Sequence, residues 1–559
     1  MISWNRSVRG ALAWLIVFAF VIGCDESAED SRSGIVTVSV QRASAWVRNF
    51  NPLSPEVTPR WPTVAGIHEP LMVFNSVKSE YVPWLATDFT WGDGNLSLRF
   101  TLREGVRWSD GEAFDADDVV STFELLRDHP AMDQHHVWQA LQAVRRIEGH
   151  IVEFVFSRPF VPGFGDVAIQ PIVPEHVWDD VEDPLAFANP DPVGTGPFTE
   201  VRVFRDDVYE IGRNPRYWQE GVPAVEALRF PAFEGNDTSN LGLIFDEVDW
   251  GGDFIPSIDR VYVERHPEHH HYWFPLTGGS VFLYVNTELP AFADARVRKA
   301  LSLALDRTLI VDVAMFHYTR PADATALTDA YAAWRDSSAV EAGDWVDFDP
   351  VGANALLDEV GFARGPDGVR RGPDGGPLRF DVLCVRGWSD WERAVEIIAG
   401  NLRAVGVDAT AKPLGFEEWY QRVSRGEFES SIGWSLEGAS IYHFYRSLMS
   451  EDTVRPRGES SATNWHRYSS AAADSVLERL EVVSDTSDTR ELSNHLQRIF
   501  VDEAPAIPLF PGPSWAVYST HRIEGFPSID DPYADPSPHK FARGEVLLVL
   551  TRLRPVDDD

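Results

Sequence analysis

Seven aromatic residues sit where strand-like runs give way to loops, and most have an amide or acid close by in the chain. Trp46 follows the first strand-like run, Ile35 to Val40, and Asn51 lies in the loop behind it. Trp250 follows Asp249, Tyr284 stands beside Asn286, and Trp388 and Trp391 sit at a strand–helix junction. Trp434 precedes Glu437, and Trp515 follows the Pro511-Gly512-Pro513 turn. A flat aromatic face packs on the axial C–H face of a sugar ring, while the sugar hydroxyls need donors and acceptors in the ring plane. Trp46, Trp250, Trp388, Trp391, Trp434 and Trp515 are therefore candidate stacking residues. Asn51, Asp249, Asn286 and Glu437 are candidate hydrogen-bonding partners. Any one of these rings serves equally well as core filling, but at least two of the seven are expected to line a cleft.

Other chemistries find less support. His266, His269, His270 and His271 form a histidine-rich run, HPEHHHYW, with the composition of a metal-binding tract. Adjacent histidines in an extended loop splay apart, so a solvated connection is expected there and no metal. His68-Glu69 lacks the second histidine of a zinc-protease helix, and His135-His136 has no matching ligand nearby in sequence. Gly194-Thr195-Gly196-Pro197 has neither a lysine nor a following amphipathic helix, which argues against a phosphate cradle. Acid pairs are plentiful but none is singled out by spacing, so a glycoside hydrolase stays open as an alternative. No G-x-S-x-G elbow is present, and no cofactor is expected.

A chain of 559 residues is too long for one core, so two or three domains are expected. Its 49 basic against 86 acidic residues give a net charge of −37, a surface that repels nucleic acid. Residues 1–24 read as an export leader, with Arg6 and Arg9 ahead of the apolar run Ala11 to Ile22. Val21-Ile22-Gly23-Cys24 resembles the bacterial lipobox, which implies lipidation at Cys24, a membrane tie through that lipid, and a flexible tether over 25–34. Only Cys384 then remains, so the mature chain has no internal disulfide.

The candidate residues need elements to hold them. Leu96, Leu98, Phe100 and Leu102 alternate with polar residues and predict a half-buried strand. Trp108 to Gly111 turns the chain, and Asp115 caps a helix carrying Val119, Phe123 and Leu126 on one face. A short helix is expected over 65–74, and helices after Asp294 and after Asp349-Pro350. Leu378 to Val385, a helix over 390–404 capped by Ser389, and Val407 to Lys412 form a strand–helix–strand unit, which implies parallel pairing. A last long helix is expected over 489–501.

The wording of LRFTLREGVRWSDGEAFDADDVVSTFELL resembles the signature of the family 5 extracellular solute-binding proteins of ABC transporters. VGTGPF (193–198), RNPRYW (213–218), FADARVRKALSLALDR (292–307), FDPVGANALLDEVGF (348–362) and APAIPLFPGPSWAVY (504–518) follow in the family's order. The resemblance implies an α/β, two-lobed periplasmic-binding-protein-like fold with a hinge (type II, cluster C-like) and an additional α/β domain. It implies lobe one over 35–75, 190–280 and 505–559, the extra domain over 76–189, and lobe two over 281–504. VRGWSDWERAVEIIAGNLRAVGVDATAKP and HEPLMVFNSVKSEYVPWLA look closest to the cellobiose and cello-oligosaccharide binders. Peptide binders carry W-x-x-D where this chain has Trp434-Ser435-Leu436-Glu437, and that Asp pairs with the peptide ammonium. The implied protein is a monomeric lipoprotein at the outer face of the cytoplasmic membrane. It captures a small oligosaccharide, with an oligopeptide as the alternative, and delivers it to an ABC permease without chemistry.

Overall fold

In the computed structural model, which describes residues 34–40, 45–55, 66–437, 440–540 and 544–556, the alternation around Leu98 becomes the strand Ser97–Leu102. Leu98, Phe100 and Leu102 are buried and Arg99 and Thr101 exposed, while Leu96 falls before the strand and is exposed. Gly111 takes φ +109° in the turn that follows. Asp115 and Asp118 then form a reciprocal capping box at the start of the helix Ala116–Asp128. Phe123 of that helix meets Phe154 edge-on at 4.8 Å, closing a four-stranded antiparallel sheet. Its order is Ala86–Trp91, Ser97–Leu102, Ile151–Phe156, Leu141–Glu148. The leader, Cys24 and the tether as far as Ser33 lie outside the described residues.

Two larger mixed sheets carry the rest. The seven-stranded one runs His270–Tyr272, Val517–Ser519, Trp250–Gly251, Ile35–Ser39, Ala227–Pro231, Val208–Arg213, Phe198–Arg205. The five-stranded one runs Asp408–Leu414, Arg379–Val385, Ser430–Trp434, Ser280–Val285, Ile507–Pro511. Arg379–Val385 and Asp408–Leu414 pair in parallel around the helix Ser389–Ala404, as the strand–helix–strand pattern requires. The seven-stranded sheet has its own core around Phe50, Tyr209 and Trp250, whereas one continuous core runs beneath the other two.

Four local expectations change. Over 66–74, the described part of the helix expected at 65–74, there are instead turns ending at Pro70 and then the strand Met72–Asn75, which pairs with Glu80–Pro83. Pro70 cannot donate a helical hydrogen bond, and the short apolar run behind it suits a pleated surface. Ser389 opens its helix without capping it: Trp388 takes the N-cap position, and Glu392 reaches back to accept from Gly387 N at 3.2 Å. The last long helix extends over Thr486–Glu503, capped by Asp485. Finally, Ile507–Pro511 pairs with Ser280–Val285, so segment 505–559 supplies a strand to the second-lobe sheet before Val517–Ser519 returns to the first.

That return creates a paired crossing. The chain leaves the first-lobe sheet after Tyr272 and enters the second at Ser280; it leaves the second after Pro511 and re-enters the first at Val517. The two connections lie side by side. Trp273 N donates to Ala516 O at 3.1 Å, Ser514 N to Pro275 O at 2.8 Å, and Gly512 N to Gly279 O at 3.1 Å. A Cβ on Gly512 would stand 2.2 Å from Gly279 O, and one on Gly279 2.5 Å from Ser435 O. Only glycine permits backbones to approach this closely.

Candidate functional site

A cavity of about 430 Å³ opens beside this paired crossing, walled by both lobes, a volume in the range of small-molecule sites. The second lobe contributes Trp388, Trp391 and Trp434. Trp388 lies just beyond the carboxyl end of Arg379–Val385, and Trp434 ends the neighbouring parallel strand Ser430–Trp434. The strands' shared direction therefore brings the rings together, in the place where open α/β sheets hold ligands. Trp388 and Trp434 are 5.9 Å apart at 34°, Trp391 and Trp434 5.8 Å apart at 42°, with Trp419 buried behind them. From the crossing comes Trp515, edge-on to Phe254 of the first lobe at 5.5 Å.

The indoles fall into two kinds. Trp46 donates its ring N–H to Phe230 O at 3.0 Å, and Trp250 to Pro536 O at 2.8 Å. Among the described residues, none accepts from the ring N–H of Trp388, Trp391, Trp434 or Trp515. Trp388, Trp434 and Trp515 are half-buried and Trp391 is buried, and each indole N–H can donate to a ligand that reaches it.

Glu437 stands in the same wall, already engaged. Lys540 Nζ lies 2.7 Å from Glu437 Oε2 and 3.5 Å from Asp535 Oδ2, and Gly279 N donates to Glu437 Oε1 at 3.3 Å. Behind this pair Asp535 accepts from Thr277 Oγ1 at 2.6 Å and Ser514 Oγ at 2.7 Å. Glu545 accepts from the Ser76 backbone N–H at 2.7 Å. Burial works against the Lys540 ammonium, but Glu437, Asp535 and Glu545 outweigh it and hold the group charged, well above the usual lysine range. Burial, reinforced by Asp535, pushes the Glu545 carboxyl up.

Five of the ten ligand-binding candidates thus line the cavity: Trp388, Trp391, Trp434, Glu437 and Trp515. The other five are structural. Trp46 is buried against Tyr209, 5.1 Å away and edge-on. Trp250 belongs to a two-residue strand inside the seven-stranded sheet, which turns its ring into that core. Asp249 ties Thr37 N at 2.8 Å to Arg522 at 2.7 Å; burial pushes its carboxyl up, against the pull of Arg522. Asn51 donates to Phe187 O at 2.8 Å and Asn286 to Gly426 O at 2.9 Å, each pinning a loop. Tyr284 is likewise buried, its hydroxyl on Trp434 O at 3.2 Å.

Several wall residues escape a reading of the sequence. Lys540 is the chief one, and its one visible signal is rarity, since the chain has only four lysines. Phe254, Asn236 and His539 of the first lobe and Asp390 and Tyr331 of the second also face the cavity. The histidine run departs from the solvated loop expected of it: His270 is fully buried in the strand His270–Tyr272.

The profile of the family described as bacterial extracellular solute-binding proteins, family 5 Middle, matches residues 80–453, more than half of the chain. The nickel-binding periplasmic protein of Escherichia coli (strain K12) is 25% identical over 408 residues, 69% of this chain and 73% of its own. Di/tripeptide-binding protein 2 of Pseudomonas aeruginosa (strain UCBPP-PA14) is 24% identical over 476 residues, 79% and 83% of the two chains. Among solved structures, a mannohexaose-bound periplasmic oligopeptide-binding protein of an ABC transporter from Thermotoga maritima matches with TM-score 0.85 and 25% identity, over 94% of this chain and 99% of its own. A fold shared over nearly the full length and a profile crossing both walls of the cavity lead to one conclusion: the chain belongs to the family 5 bacterial extracellular solute-binding proteins, periplasmic or extracellular components that bind small ligands and deliver them to the permease of an ABC importer.

Proposed function

We propose that this solute-binding protein captures a neutral hexose oligosaccharide of the cello- or manno- type between its lobes. The observation that carries the reading is the wall itself: four indoles with unengaged N–H groups beside an acid that already holds an internal cation. Stacking faces and in-plane donors suit a sugar ring. The residue at the place of the peptide binders' ammonium-pairing Asp is Glu437, and Lys540 Nζ already occupies that carboxylate at 2.7 Å. The mannohexaose bound by the Thermotoga maritima relative supports the same ligand class. Family membership sets the hydrolase alternative aside, because the relatives are binding proteins. Capture works by closure: a ligand touching both lobes favours the arrangement in which they meet, with bending at the paired crossing. Cys24 carries the lipid that keeps the protein at the membrane.

Calorimetry on the mature chain against cello-oligosaccharides, manno-oligosaccharides and a short-peptide mixture tests this. A sugar is expected to bind at micromolar or tighter concentration. Trp388→Ala and Trp434→Ala are each expected to weaken it at least about tenfold, a loss near 1.4 kcal/mol. Peptide binding with no response to any sugar overturns the proposal.

A further inference from the structure

The histidine run becomes a cluster at the edge of the seven-stranded sheet. His270, paired in register with Ser519, is fully buried, and the Tyr262 ring lies flat on it at 4.0 Å and 5°. Both of its nitrogens face acceptors: Nδ1 lies 2.9 Å from Tyr262 O and Nε2 2.9 Å from Asp246 Oδ1. A neutral imidazole has one N–H, so the second contact requires either a second proton or a metal ion. With Nδ1–H donating to a backbone carbonyl, the ring has the orientation and tautomer typical of a metal-ligating histidine, its Nε2 lone pair turned to the carboxylate.

The surroundings complete a donor set. Asp246, at φ +56°, aims one carboxylate oxygen into the cluster, where Ser519 Oγ donates to it at 2.9 Å and His521 Nδ1 lies 3.3 Å away. His266 brings a ring nitrogen to the same place, so that one ligand atom each from Asp246, His266 and His270 lie within 4.8 Å of one another. Its ring is edge-on to those of His270, at 4.9 Å, and His521, at 5.1 Å. Among the described residues, none of these side chains lines the ligand cavity.

We propose that Asp246, His266 and His270 form a site for a divalent transition-metal ion of the zinc type, with His521 beside the fourth position. Imidazole and carboxylate donors suit zinc, which sits about 2.0–2.2 Å from each. His266 is exposed, at the end of the short helix Val263–Arg265, and its rotation closes the remaining gap. The ion ties Asp246 and the 262–270 segment, just before the first crossing leaves the first lobe, to the 519–521 segment, just after the second crossing returns to it.

The test uses the mature chain without a polyhistidine tag, stripped with a chelator and titrated with Zn²⁺ or Co²⁺ alone. One equivalent of Zn²⁺ is expected to bind with a dissociation constant of about 1 μM or tighter. Co²⁺ is expected to give visible absorption bands of tetrahedral strength. His266→Ala, at an exposed position, and Asp246→Asn should each weaken Zn²⁺ about 10–100-fold and abolish the Co²⁺ bands. His271→Ala, one residue along the run, should change neither. No stoichiometric binding below about 100 μM, or equal affinity in His266→Ala and Asp246→Asn, overturns the proposal. None of these readouts involves the sugar, so the site stands or falls apart from the ligand reading.

Discussion

Lys540 fixes the charge that Glu437 presents to the cavity. With Nζ at 2.7 Å the pair offers a hydrogen-bonding edge of little net charge, suited to hydroxyl groups. Lys540→Met keeps the chain length and leaves Glu437 beside Asp535 with no internal cation. The variant is expected to lose sugar affinity about tenfold and to gain measurable binding of short peptides, whose ammonium fills the vacated place. Lys540 is also the cation 3.5 Å from the fully buried Asp535, and removing one partner of a buried pair costs about 3–5 kcal/mol, so the thermal midpoint should also fall by several degrees. Calorimetry with the same sugar and peptide panel checks this, and a variant that still rejects peptides refutes the assigned role. The sequence could not reveal the pair, since 103 positions separate its members and only the return of the chain to the first lobe brings them together. Trp388 and Trp434 were legible because one lies just beyond and the other at the end of a strand of one parallel pair, and strand ends can be read from periodicity. Trp250 misled because its strand is two residues long, too short to alternate visibly, so a core residue looked like a loop residue.

At the scale of elements, the paired crossing joins the lobes through backbone alone, and its spacing depends on Gly512 and Gly279. Gly512→Ala puts a methyl group 2.2 Å from a carbonyl oxygen, closer than any real contact. The two connections must then part, breaking the bond from Gly512 N to Gly279 O and shifting Ser514 and Trp515 in the cavity wall. Overpacking of this kind costs about 1–3 kcal/mol. A lower thermal midpoint and weaker ligand binding are therefore expected together, whereas Gly415→Ala, at an exposed position with open space around it and φ −58°, should leave binding alone. Differential scanning fluorimetry with and without ligand separates the two outcomes, and unchanged binding in Gly512→Ala would show that the crossing tolerates separation. The helices around this connection follow from caps and apolar spacing, as at Asp115, Asp294 and Asp349. The crossing itself carries no periodic signal. Its geometry depends on two segments more than 230 positions apart finding one another, as the bond from Gly512 N to Gly279 O shows.

Across the whole molecule the second lobe has a further tie, to the four-stranded sheet's domain on the far side of the cavity. Asp166, buried in the helix Gly163–Ala168, pairs with His443 Nε2 at 3.0 Å, and Ser440 Oγ holds the other nitrogen of that ring at 2.6 Å. His135, in the cavity wall, lies 3.9 Å from the same carboxylate. Phe160 meets Tyr442 edge-on at 5.9 Å, and the Tyr442 hydroxyl reaches Glu481 at 2.8 Å. Burial alone would raise the Asp166 carboxyl; His443 and His135 outweigh it and hold it below the usual carboxylate range, so its charge persists under mildly acidic conditions. A group depressed in this way adds stability to the joined arrangement above the ordinary carboxylate range and gives it up as pH falls through the lowered value. The tie belongs to the arrangement in which the two domains meet, and drawing them apart would expose both partners to water. Asp166→Asn preserves shape and removes the charge. It is expected to weaken ligand binding about tenfold, the cost of a lost interaction near 1.4 kcal/mol, and to enlarge the ligand-free radius of gyration while leaving the ligand-bound radius as in the parent. Small-angle scattering with calorimetry reads both quantities. If affinity and ligand-free radius match the parent protein, the contact is passive and closure is governed by the indole wall and the crossing alone.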